Sequence, residues 1–129
     1  MNKIIVEVSI GELLDKVSIL EIKQEKIKDT EKLKFINNEH SVLKDQLEQN
    51  VKSDEKLDKL YQSLKEINSK LWLIEDEKRL CEKEKDFGEK FIKLSRDVHF
   101  LNDDRAKIKL KINDHTGSKI KEIKEYTKY

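Results

Sequence analysis

The sequence predicts an all-α protein: a four-helix bundle with a long antiparallel helical hairpin and one short N-terminal β-strand, completed by oligomerisation. Three observations lead there. Apolar residues recur at spacings of three and four along most of the chain. The 129 residues include no Pro and only three Gly, so few positions interrupt a helix. Charged residues make up 43% against 36% hydrophobic, as in helices with one apolar stripe and one solvated face. The length suits one helical domain over residues 1–129.

The elements follow in order. Residues 3–8 read K-I-I-V-E-V, with Ile4, Val6 and Val8 on one side of an extended chain and Ile5 on the other. This predicts a strand over 3–8, and a lone strand leaves its backbone groups unpaired. Its partner is expected to be the C-terminal tail or the same strand of another copy. Ser9 with Glu12 forms a capping box, which starts a helix over about 10–28. Its stripe is Ile10, Leu13, Val17, Leu20 and Ile27. Gly11 in the first turn is costly for a helix and permits a close approach of backbone or ligand.

The stripe then loses phase. Asp29 and Thr30 are cap-forming residues, and apolar positions restart at Leu33, Ile36, His40, Leu43 and Leu47. A second helix over 31–49 accounts for this, and one long helix with a changed phase is the alternative. Ser53 or Asp54 caps a third helix over about 54–86, carrying Leu57, Leu60, Leu64, Ile67, Leu71, Ile74, Lys78 and Cys81 in coiled-coil spacing. Phe87-Gly88 breaks it, with the glycine as C-cap. The fourth helix, 89–114, repeats the stripe from Phe91 through Leu94, Val98, Leu101, Arg105 and Ile108 to Ile112. The short connection makes the third and fourth helices an antiparallel hairpin. Residues 119–129 present a weak helical face of Ile120, Ile123 and Tyr126, or are ordered against another element such as the N-terminal strand.

Composition excludes several functions. One cysteine cannot build a disulfide scaffold, and no stretch approaches 18 apolar residues, so a membrane span is not expected and the reading is cytoplasmic. Charges are intermixed, with 28 Lys+Arg against 27 Asp+Glu, and only Arg79, Arg96 and Arg105 are arginines. Nucleic-acid binding is therefore not expected, despite lysines clustered toward the C-terminus. His40, His99, His115 and Cys81 fall in no metal-binding spacing, and no catalytic residue, metal or cofactor is assigned.

Two polar clusters remain. Arg105 occupies a stripe position, where a guanidinium out of water needs a carboxylate, and Glu75 or Asp76 is expected to supply it. Arg79 follows Glu75 by four and Asp76 by three, within reach of both. With Arg96 and Asn102 these residues form either a register-fixing ion network or a pocket for an anion. Glu12 and Asp15 lie with Ser9 and Gly11 at the start of the first helix, where capping and surface charge are the simpler explanation.

The stretch I-I-V-E-V-S-I-G-E-L-L-D-K-V-S-I-L-E-I-K over Ile4 to Lys23 resembles an uncharacterised bacterial family of small helical proteins, a domain of unknown function. Leu71 to Asp76, Phe87 to Phe91, and Leu101 to Ala106 extend the resemblance over nearly the whole chain. It implies no activity. It does imply that Gly11, Glu12, Asp15, Lys16, Glu75, Asp76, Asn102 and Arg105 belong to a recurrent pattern, in a family encoded near sugar-handling and cell-surface glycan genes. The sequence thus points to a non-enzymatic homo-oligomer, dimer or tetramer, acting through protein contacts. The alternative is a small phosphorylated or acidic sugar ligand held by Arg96, Asn102 and Arg105 beside Glu75, Asp76, Glu12 and Asp15.

Overall fold

The computed structural model describes residues 2–129. Four helices occupy them: α1 (Ile10–Lys26), α2 (Thr30–Asn50), α3 (Glu55–Glu84) and α4 (Glu89–Thr116). Local chemistry sets their ends. The Ser9 hydroxyl accepts from the Glu12 backbone N–H at 3.0 Å and starts α1. Asp29 accepts from the N–H groups of Glu31 and Lys32, so the break in phase is a true break between α1 and α2. Asp54 accepts from Leu57 N–H at 2.7 Å and starts α3.

The end of α3 differs from expectation. The left-handed residue there is Lys85, at φ 58°, while Gly88 is the N-cap of α4. The connection between the helices thus uses one residue to end α3 and another to begin α4. Gly117, at φ 68°, closes α4, a conformation glycine adopts without Cβ strain.

α1 lies against both α3 and α4 and runs antiparallel to α4. The partners of Ile10, Gly11, Glu12 and Asp15 step back along the chain through Ser118, Asn113, Lys109 and Arg105. The core is small: Leu14, Leu57, Leu64 and Ile112, with Ile10, Leu47, Leu60 and Ile108 packed around it. α2 packs along α1 alone and has no buried residue of its own. Farther along the hairpin, Cys81 and Leu94 are buried, while Leu73, Leu80, Phe87 and Ile92 stay exposed.

The expected strand over 3–8 is absent, and no β-strand occurs among the described residues. A strand needs a partner for its backbone groups, and residues 3–8 have none. The C-terminal tail is held elsewhere. It forms no helix and turns back along α4, where Lys121 pairs with Asp114, Glu122 with Lys109, and the Tyr129 hydroxyl donates to Asp103. Tyr129 also packs edge-on against His99 and Phe100. Residues 3–8 have no regular secondary structure and are left bare, with Ile4 88%, Ile5 81% and Val6 70% exposed. Among the described residues, no helix is long and apolar enough to cross a membrane.

Candidate functional site

The start of α1 is closed by the protein itself. Three successive N–H groups are taken: Ile10 donates to Ser118 Oγ at 3.1 Å, Gly11 to Asn113 Oδ1 at 2.7 Å, and Glu12 to Ser9 Oγ. Those N–H groups are the ones a helix start would offer an anion. Gly11 lets α4 approach this closely, because a Cβ there would lie 2.6 Å from the Lys109 carbonyl oxygen. Of backbone and ligand, the approach is made by backbone.

Asp15 sits one turn on, 1% exposed, and gathers the polar groups around it. Arg105 reaches it with Nε at 2.9 Å and Nη2 at 2.5 Å, a two-pronged ion pair. Asn68 donates to the same carboxylate at 2.9 Å and to Ser18 Oγ at 2.8 Å. Lys109 reaches Glu12 at 2.7 Å, Glu122 at 3.5 Å and Asp15 at 3.8 Å. Burial pushes the Asp15 carboxyl up, but hydrogen bonds from Arg105 and Asn68 and the charges of Arg105 and Lys109 outweigh it. They leave the group below the ordinary aspartate value. The Asp15 hydrogen bonds in turn raise Arg105.

The carboxylate that holds Arg105 is therefore Asp15, not Glu75 or Asp76. Asn102 accepts from Arg105 Nη1 at 3.3 Å. Glu12 turns to Lys109, so only the Ser9 half of the expected capping box forms. Arg96 is exposed and stands outside this network.

Glu75, Asp76 and Arg79 meet Arg105 instead across an open groove of about 460 Å³. Its floor is Ile22, Leu71 and Asn68, all buried, with Ile19 and Trp72 half-buried beside them. Glu75, Asp76 and Arg79 stand exposed at its mouth. Their side chains have no ion-pair or hydrogen-bond partner among the described residues, although Arg79 has the helical spacing to reach both acids. An apolar floor with free charges of both signs at the rim fits an apolar group carrying charge at its ends.

A third cluster joins three helices. Glu21 of α1 accepts from the Tyr61 hydroxyl of α3 and pairs with His40 Nε2 of α2 at 3.1 Å. Burial raises the Glu21 carboxyl, but hydrogen bonds from Tyr61 and His40 and the charge of Lys65 bring it below its usual value. His40 therefore ties α2 to the rest of the molecule. No group of three or more His, Cys, Asp or Glu that could hold a metal occurs among the described residues.

The residues that sequence reasoning missed are Asn68, Lys109, Asn113 and Ser118. Asn68 carried a usable signal: it lies four after Leu64 and three before Leu71, a core position with a polar side chain. The partners of Asn113 and Ser118 are more than 100 residues away in sequence, beyond any local pattern.

A family model described as "Family of unknown function (DUF6165)" matches residues 4–129, and the chain belongs to that family. Comparison with curated proteins and with solved structures found no match.

Proposed function

We propose that this protein is a non-enzymatic helical module that works by contact with other protein chains and assembles with copies of itself. One observation carries the reading. The charges near the α1–α4 junction are paired with one another, whereas a run of apolar side chains at Ile4, Ile5 and Val6 is left almost fully bare. Bare aliphatic groups in one run favour a protein cover over water. The free thiol of Cys81, buried and unpaired, accords with a cytoplasmic setting.

A second reading places a small anionic ligand, such as a phosphorylated or acidic sugar, with Arg96, Asn102 and Arg105. Arg105 lines the groove, which favours it. Against it, Arg105 already holds Asp15, and two free carboxylates stand at the same mouth. Native mass spectrometry of the protein purified from its own host, followed by denaturation, separates the two. A dimer or tetramer without added mass is the expected result. A monomer at every concentration overturns the first reading, and a stoichiometric small adduct moves the assignment to the second.

A further inference from the structure

We infer that residues 3–8 of one copy lie in the Trp72 groove of a second copy, an arm exchange that deepens the assembly reading and rests on it. Two surfaces of this chain complement each other. The arm offers Ile4 and Val6 on one side, with Lys3 before them and Glu7 after. The groove offers an apolar floor, with Asp76 and Glu75 to meet a lysine and Arg79 to meet a glutamate. At about 460 Å³ it holds a few aliphatic side chains rather than a whole helix.

Geometry selects a second copy as the donor. The arm ends at Ser9, the N-cap of α1, and the groove lies beside Ile19 and Ile22. Ten to thirteen helical residues separate them, roughly 15–20 Å. Folding straight back, Val6 is three residues from Ser9 and reaches about 10 Å, which falls short of the groove. Ile4 could only touch its near edge. A chain therefore cannot seat its own Ile4 and Val6 side by side on that floor, and a two-fold partner can. When the two copies are related by a two-fold axis the exchange is reciprocal, each arm in the other's groove, and this arrangement gives a dimer rather than a fibre.

Trp72 is the sole tryptophan, so its emission reports on the groove directly. The test compares wild type with I4D/V6D by sedimentation and Trp72 fluorescence. The arm is exposed and outside the core, so the variant keeps its helices, checked by circular dichroism. The expected result is a dimer whose dissociation constant rises at least about tenfold in the variant, with Trp72 emission moving to the red. A dimer unchanged in both mass and emission overturns the arm exchange and leaves the assembly reading standing. A wild type that is monomeric throughout overturns both. A second measurement mixes I4C chains with D76C chains, each on a C81A background, under mild oxidation. A covalent heterodimer is expected at a yield well above that of I4C mixed with K59C. Equal yields overturn the proposal, as does a double I4C/D76C chain that closes only on itself at concentrations where the wild type is a dimer.

Discussion

Asp15 is the residue on which the junction of α1, α3 and α4 turns. Replacing it with Asn removes the charge that Arg105 faces while keeping the volume. Breaking a buried pair from one side leaves the other charge uncompensated, so D15N is expected to cost about 3 kcal/mol in urea unfolding. The same carboxylate sets an acid limit. Its folded value lies below the unfolded value of about 3.9, so the unfolded chain binds the proton first as pH falls. The stability it contributes is complete at neutral pH, begins to fall near pH 4 and is lost on passing the folded value. In D15N the slope of stability with pH below 4 should flatten. Gly11 gives a prediction of opposite sign to helix propensity. An exposed helical Gly→Ala would stabilise by up to about 1 kcal/mol. Here the new Cβ meets the Lys109 carbonyl, and G11A is expected to destabilise by about 1–3 kcal/mol. At this scale the sequence was informative about chemistry and silent about partners. Arg105 at a stripe position announced the need for a carboxylate, and height across the α3–α4 hairpin suggested Glu75 or Asp76. The true partner is 90 residues away, and only packing brings it close.

Among the elements, α2 is set apart. It packs on α1 only, buries no residue, and is tied through His40 to Glu21 and through Asn37 to Gln24. Helices held by few buried contacts open first, so amides of α2 should exchange faster than those of α3 and α4. E21A should speed α2 further and leave Leu64 and Ile112 protected, as read by hydrogen exchange. Helix boundaries were legible where a side chain caps its own helix, as at Ser9, Asp29 and Asp54. The strand was the failure at this scale. Alternation in K-I-I-V-E-V marks strand propensity, but a strand also needs a neighbour, and the tail that could have served is drawn along α4. Periodicity is a property of one segment, and pairing is a property of two.

For the whole molecule, the small core around Leu14, Leu57, Leu64 and Ile112 leaves much apolar surface outside. If assembly covers part of it, stability becomes tied to mass action. The melting temperature should then rise with protein concentration in wild type, and less so in I4D/V6D, as followed by circular dichroism over a hundredfold dilution series. The arm's apolar run was legible in the sequence, though as a paired strand rather than a bare arm. The groove was not, because it is lined from α1, α3 and α4 at once.

The closure of α1 by Asn113 and Ser118 also sets an order in time. α1 leaves the ribosome with backbone donors whose partners are not yet made, and for Ile10 the partner follows 108 residues later. At ordinary rates of synthesis that wait is roughly 5–20 s. During it α2 can form beside α1, and the α3–α4 hairpin can build from its own turn. The fold of the nascent segment thus builds from the hairpin, and the start of α1 is fastened only when Asn113 and Ser118 arrive.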